Sequence, residues 1–264
     1  MNIIKAKIIN NIRLSTNYFL LELLCNTEIN LGIPGQFYQI QYNNDQTKLL
    51  IPISICNIDK NMISFMVKTV GEKTKQLAEK KVNDYLNIIG PLGNGFDTKL
   101  YKNKKLFFVT GGAGFAPLFY LYNTLPNHDI TWFHGGRNYD EVCFIPSYVK
   151  DINISTDDGS FMNKGYVTRF FTNYIDKLTP PTSELPTPSS QLSTLNCLAC
   201  GPVPMLKTLQ NICENNNIPL YVSLEEYMAC GVGVCYGCAL KKNDTYIRVC
   251  KEGPIFDAKE VIWT

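Results

Sequence analysis

The chain has 264 residues, more than one compact domain usually holds, so two or three units are expected. Apolar residues make up 45% and charged residues 18%, which excludes a disordered chain, a collagen and a coiled coil. Lys and Arg number 25 against 23 Asp and Glu, and a formal charge of +2 gives no footing for nucleic acid or anionic lipid as the main partner.

From Met1 to about Phe96 the pattern is one of short β-type runs. Lys5–Leu14, Tyr18–Cys25, Gln36–Tyr42, Ile51–Asn57, Met62–Lys68 and Tyr85–Ile89 are rich in Ile, Val, Phe, Tyr and Leu, with turn clusters such as Asn43–Asp45 and Asn57–Asn61 between them. That spacing predicts an all-β barrel or sandwich, interrupted by one helical piece around Lys73–Lys81. The rhythm then changes. Lys105–Thr110 reads as a strand, followed by a glycine turn and a helix-like run to about Leu125. Ile130–His134 is the next strand, and Val142–Tyr148 and Ile152–Thr156 continue the alternation. A helix over Tyr166–Ile175, a strand at Leu195–Cys200 and a helix over Pro204–Asn215 complete a parallel α/β unit. Thr179–Thr194, rich in Pro, Ser and Thr, reads as a mobile insertion within it. The last segment, Leu224–Thr264, holds short strands and four cysteines. The expected division is 1–98, 99–223 and 224–264.

Met1–Lys7 carries no pattern of a cleavable signal, and the most apolar window, Leu106–Leu125, is broken by Gly111, Gly112, Gly114 and Pro117. A cytoplasmic chain with reduced thiols and no membrane span is therefore expected. Only two histidines occur, His128 and His134, which leaves little provision for acid–base catalysis by histidine.

Of the ten cysteines, Cys230, Cys235, Cys238 and Cys250 form C-x4-C-x2-C-x11-C. This is the plant-type [2Fe–2S] spacing, in which a four-residue loop wraps one cluster edge and the last thiolate arrives from a later strand. Gly231, Gly233 and Gly237 let that loop turn tightly and aim N–H groups at sulfur. Structural zinc is the alternative, although its four cysteines usually come as paired knuckles. Cys25, Cys56, Cys143, Cys197 and Cys213 read as small buried side chains.

Thr110-Gly111-Gly112-Ala113-Gly114-Phe115-Ala116-Pro117 joins a strand to a helix start, a place where backbone N–H groups suit a pyrophosphate. Alone, it reads equally as a plain strand-to-helix turn. A second such turn, Cys200-Gly201-Pro202, follows the strand at Leu195 and belongs at the carboxyl edge of the sheet, where open α/β sheets bind ligands. Together the two are far more specific than either.

In this order, a β-rich unit, G-G-A-G-F-A-P, C-G-P-x-P-M and a C-terminal cysteine motif, the chain resembles the ferredoxin reductase-like flavoproteins. Within them it is most similar to the electron-transfer subunits of class 1B dihydroorotate dehydrogenases. Pro34–Phe37, Pro52–Ile55, Gly90–Phe96, Thr156–Ser160, Met228–Gly231 and Gly253–Phe256 carry the likeness. The resemblance implies a Greek-key FAD barrel, an NAD-binding sheet and a small [2Fe–2S] unit. It also implies a catalytic partner, a dihydroorotate-oxidising FMN barrel, in a heterotetramer of two of each, serving pyrimidine synthesis.

On the barrel the resemblance assigns the flavin to Ile51, Pro52, Ile53 and Ser54, to Met66, Val67 and Lys68, and to Lys73 and Thr74. Gly111, Gly112, Gly114, Cys200, Gly201 and Pro202 fall to NAD, with Cys200 beside the nicotinamide or merely buried. Two positions depart from the family. Ile51 stands where an Arg normally meets the flavin pyrophosphate, and Lys73 replaces a glycine. FAD is still expected, because Ser54, Thr74 and the barrel pattern remain, with Lys68 or Lys73 as a substitute cation. Two alternatives stay open: a flavin subunit of another NAD(P)H-linked complex, and a metal-binding scaffold without activity.

Overall fold

The computed structural model describes residues 2–26, 31–41, 50–178, 195–242 and 245–263. The insertion expected at 179–194 and the turn at Asn43–Asp45 lie outside them. Seven antiparallel strands come first: β1 (Asn2–Arg13), β2 (Tyr18–Cys25), β3 (Phe37–Gln41), β4 (Ile51–Ser54), β5 (Asn57–Asp59), β6 (Met62–Lys68) and β7 (Tyr85–Leu92). They form one sheet in the order β4-β3-β7-β1-β2-β6-β5. The alternation in β2 shows why it curls. Leu21, Leu23 and Cys25 point inward beside Ile8, Tyr38, Ile40, Phe65 and Ile88, while Leu20, Glu22 and Leu24 face outward. The helix α1 (Glu72–Ala78) is held at its start by Thr74, whose hydroxyl accepts the Val70 and Gly71 N–H groups.

The second sheet has the order β11-β10-β9-β8-β12-β13-β16, built from β8 (Lys105–Gly111), β9 (Ile130–Gly136), β10 (Ile152–Thr156), β11 (Asn163–Lys164), β12 (Leu195–Cys200), β13 (Leu220–Ser223) and β16 (Ile255–Asp257). All neighbours are parallel except β13 and β16. The helices α2 (Phe115–Thr124), α4 (Val167–Leu178) and α5 (Val203–Asn215) pack against it. Chain order reverses between β8 and β12, so the carboxyl ends of these two neighbours form the switch point of the sheet.

Val142–Tyr148 contributes no strand. It ends the short helix α3 (Tyr139–Val142) and then makes a 3-10 turn at Ile145–Ser147. Pro146 lacks the N–H a ladder requires, and Asp140 and Glu141 suit a helical first turn.

The cysteine-bearing tail is a loop from Leu224 followed by the hairpin β14 (Ala239–Lys242) and β15 (Thr245–Arg248). The chain then returns through β16 to the edge of the parallel sheet. The Gly90–Phe96 stretch fastens this tail to the first sheet. Asn94 donates to the carbonyls of Lys251 and Glu252 at 3.1 and 3.0 Å, and its N–H bonds the Gly253 carbonyl at 2.6 Å. The two sheets are joined by α3. Asp140 accepts the Thr16 N–H at 2.7 Å, and Glu141 Oε1 lies 2.5 Å from Lys68 Nζ on β6.

Candidate redox site

At the switch point the two glycine turns meet. Gly114 precedes the first residue of α2, and a Cβ there would lie 2.2 Å from the Cys200 carbonyl oxygen. Only a residue without a side chain permits that approach. Gly111 faces the side chains of Pro202 in the second turn and Met205 on α5, a Cβ there lying 3.0 Å from each. The two turns singled out in the sequence thus form one surface, from Gly111, Gly112 and Gly114 across to Cys200, Gly201 and Pro202.

The first turn rests on a buried polar chain. Trp132 Nε1 donates to Thr110 Oγ1 at 2.8 Å, and Thr110 Oγ1 lies 2.9 Å from His134 Nδ1. Burial pulls the imidazole of His134 down to about 3, so it stays neutral at working pH and supplies no proton. In front of the turn stands Tyr18. It is 1% exposed, its hydroxyl has no partner, and it lies 3.3 Å from where a Gly112 side chain would begin. An orphaned buried hydroxyl over an open glycine is the arrangement expected of a wall that meets a polar ligand.

Cys200 is fully buried, and its Sγ faces Glu225 Oε1 at 4.0 Å. Burial and the Glu225 charge hold its thiol well above the ordinary range, so it is a neutral neighbour and no nucleophile. Glu225 opens to the crevice. Desolvation raises its carboxyl, with Lys68 pulling the other way. Lys68 also stacks over the Tyr18 ring, 5.6 Å from its centroid.

On the barrel, Pro52, Ile53 and Ser54 are half-buried along β4. Ile51 turns inward and packs in the barrel core. Met66 packs towards Tyr18 and Phe108 across the junction, whereas Val67 joins the barrel core. Of the two candidate cations, Lys68 is engaged by Glu141, and Lys73 is half-buried on the first turn of α1 beside Thr74. A half-buried strip ending in a hydroxyl, beside a crevice walled by Tyr18, fits a planar flavin ring. The inward Ile51 offers nothing to a pyrophosphate.

The four motif cysteines gather into two pairs. All four are free thiols, Cys230 within hydrogen-bonding reach of Cys235, and Cys250 of Cys238. Backbone amides surround them. Val232 and Val234 donate to Cys230 Sγ at 3.4 Å each, Gly237 to Cys235 at 3.4 Å, Gly233 to Cys250 at 3.1 Å and Cys250 to Cys238 at 3.5 Å. Gly231, at φ +67°, and Gly233 make the turns that aim these amides. Burial raises the Cys230 thiol, but the hydrogen bonds from Cys235, Val232 and Val234 outweigh it and bring it down to about 6, towards the thiolate a metal needs. Among the described residues no three His, Cys, Asp or Glu side chains converge on a single point. Two pairs under a canopy of N–H donors fit a binuclear cluster with two thiolates for each iron.

The pairs differ in depth. Cys238 and Cys250 are buried in the core that also holds Phe37 and Leu92 of the barrel sheet, whereas Cys235 is exposed between Val234 and Tyr236. Arg248 ties the loop down. It donates to the Gly233 carbonyl at 2.8 Å and to Glu252 Oε2 at 3.0 Å. Tyr18, Glu141 and Glu225 carried no signal in the sequence, because the residues they meet at the junction, Gly112, Lys68 and Cys200, lie far away along the chain. Asn94 did, through the P-L-G-N-G-F passage.

Residues 225–262 match the iron–sulfur cluster binding domain of dihydroorotate dehydrogenase B. The chain is 35% identical over 257 residues to a Clostridium acetobutylicum protein named dihydroorotate dehydrogenase B (NAD(+)), electron transfer subunit, covering 97% of this chain and 96% of that one. Its identity to the protein of the same name in Clostridium perfringens is 36% over 267 residues, covering 99% and 98%. Among solved structures, an NADH-dependent reduced ferredoxin-NADP oxidoreductase described for flavin-based electron bifurcation superposes with a TM-score of 0.80 at 25% identity, over 98% of this chain and 90% of that one. The ferredoxin reductase of carbazole 1,9a-dioxygenase shares the fold, with a TM-score of 0.66 at 18% identity over 84% and 68%.

Proposed function

The chain belongs to the family of electron-transfer subunits of dihydroorotate dehydrogenase B, and from that membership we propose that it carries electrons between NAD(H), FAD and a [2Fe–2S] cluster on behalf of a catalytic subunit that oxidises dihydroorotate. The observation that carries this reading is the two pairs of cysteines, capped by amides and clamped by Asn94 against the barrel sheet.

Bound flavin and cluster supply the conversion of one hydride into two single-electron transfers. The chain's own residues bind and orient. The Gly111–Gly114 turn and the amides opening α2 hold a pyrophosphate. Cys200 and Gly201 wall the nicotinamide pocket, and the neutral thiol adds no competing chemistry. Pro52, Ile53, Ser54, Met66 and Thr74 frame the flavin, and Val67, whose side chain enters the barrel core, lends only its backbone. Lys68 on the flavin strand, or Lys73 on α1, supplies positive charge in place of the family's arginine. Cys230, Cys235, Cys238 and Cys250 hold the cluster.

We assign units 1–98, 99–223 and 224–264 to these three tasks. Among the described residues no helix is long and apolar enough to cross a membrane. We place the protein in the cytoplasm, paired with an FMN-containing barrel as two copies of each. The docking face is the exposed rim of the cluster loop, where Val234 and Tyr236 flank Cys235 and Tyr227 stands 94% exposed.

Anaerobic purification tests the reading. The chain is expected to carry iron and labile sulfide at two each, to release one FAD on denaturation, and to co-purify with an FMN-containing partner that reduces NAD with dihydroorotate. Cluster absorption without releasable flavin would refute the FAD assignment, and zinc without NADH-dependent dye reduction would refute the whole.

A further inference from the structure

One side chain bridges the barrel and the cluster loop. Successive residues of β3 alternate between the two faces of its sheet. Tyr38 and Ile40 enter the barrel core, while Phe37 belongs to the core that contains Cys238 and Cys250. Gln39 shares the face of Phe37. Its direct partners across the sheet are Pro52 on β4, within the strip that frames the flavin, and Ile89 on β7. Its outer end lies against Gly231, the residue after Cys230. A Cβ on Gly231 would stand 2.7 Å from Gln39 Nε2 and 2.8 Å from its Cγ.

Gln39 is 0% exposed, yet neither Nε2 nor Oε1 has a hydrogen-bond partner. Phe37 meets the packing demand of the same face with an apolar side chain. A carboxamide buried without partners carries the full desolvation penalty of its polar atoms. Such a group persists where something it can bond to completes it. Next to Cys230 that is an electron-rich sulfur.

We propose that Gln39 is a positioning residue of the cluster: its carboxamide N–H donates to a sulfur acceptor held by the Cys230 end of the loop, and so raises the cluster's reduction potential as seen from the flavin strand. The inference rests on the [2Fe–2S] reading above. Reduction adds negative charge to the sulfurs, so a donor stabilises the reduced form more than the oxidised one. Gln39 adds to the five backbone donors a side-chain donor rooted in the barrel. It therefore ties the cluster's potential to the sheet that carries the flavin.

The test is a redox titration of the anaerobically purified chain, following the EPR signal of the reduced cluster, for wild type, Gln39→Leu and Gln39→Met. Met is unbranched and of similar length, so it keeps the packing against Gly231 should Leu disturb it. With iron and sulfide content equal to wild type, both variants are expected to disfavour the reduced cluster about tenfold, a fall of 59 mV for a one-electron couple, and to shift the g values. A loaded Gln39→Met chain with the wild-type potential and g values overturns the inference and leaves the cluster reading standing. Wild-type protein that contains no iron and labile sulfide overturns both.

Discussion

Gly114→Ala tests whether the two glycine turns act as one surface. The added Cβ would sit 2.2 Å from the Cys200 carbonyl oxygen, 2.4 Å from its carbon and 2.9 Å from the Gly201 nitrogen. All three are backbone atoms, so no side chain can swing aside. To reach even 3.0 Å the turns must separate by about 0.8 Å. Overpacking of this kind costs roughly 1–3 kcal/mol. In a chain of this size that lowers Tm by about 2–4 °C for each kcal/mol. The larger effect falls on hydride transfer, because a misplacement near 1 Å costs up to about 100-fold in rate. The assay is stopped-flow reduction of the flavin by NADH, with reduction by dithionite as the control that bypasses the nucleotide site. The expected result is a 10- to 100-fold slower reaction with NADH and an unchanged one with dithionite, as estimated from that misplacement. NADH reduction within twofold of wild type would show that the turns do not form the nicotinamide site.

Other outcomes follow from the same geometry. Cys250→Ser removes the most deeply held sulfur and is expected to abolish the cluster absorption, with flavin content retained, by optical spectroscopy and iron analysis. Breaking the pair between Lys68 and Glu141, whose side chains are 24% and 10% exposed, leaves a charge without its partner at the junction of the two sheets. Lys68→Met and Glu141→Leu should each destabilise, and the double variant should recover part of the loss, with a coupling of about 0.5–3 kcal/mol in a thermal or urea cycle. Arg248 holds the Glu252 carboxyl down to about 2. The stability this contributes is fully present above the ordinary Glu value near 4.5 and is lost as pH falls through the folded value. Glu252→Gln should therefore lose iron to a chelator faster than wild type by a constant factor from about pH 5 to 8, since the pair is intact throughout that window. A factor that varied across it would contradict the assignment.

What the sequence disclosed depended on how local each feature is. The cysteine spacing was legible because a cluster draws three of its ligands from one short loop and the fourth from the next strand. The turns at Gly111 and Cys200 were legible because each is a strand end running into a helix start. Their mutual contact follows from β8 and β12 being neighbours, which no single segment reveals. At Val142–Tyr148 apolar content alone does not separate a strand from a short helix and turn, and Pro146 is the residue that decides it. Ile51 could be seen to break the arginine pattern, but its inward direction is set by its pairing with Ile40. Lys68 read as a free cation because Glu141, its partner, lies 73 residues away. Gln39 had no signal of its own. Its meaning arises where β3 meets a loop almost two hundred residues later.

In the proposed function, electrons from NADH reach the cluster through a flavin held on this chain. Anaerobic titration of the isolated subunit with NADH, followed by optical and EPR spectroscopy together, tests it most directly. The expected result is bleaching of the flavin bands and the appearance of the reduced [2Fe–2S] signal within the same few equivalents. A cluster that dithionite reduces while NADH leaves it oxidised, in protein with no flavin to bleach, would contradict it.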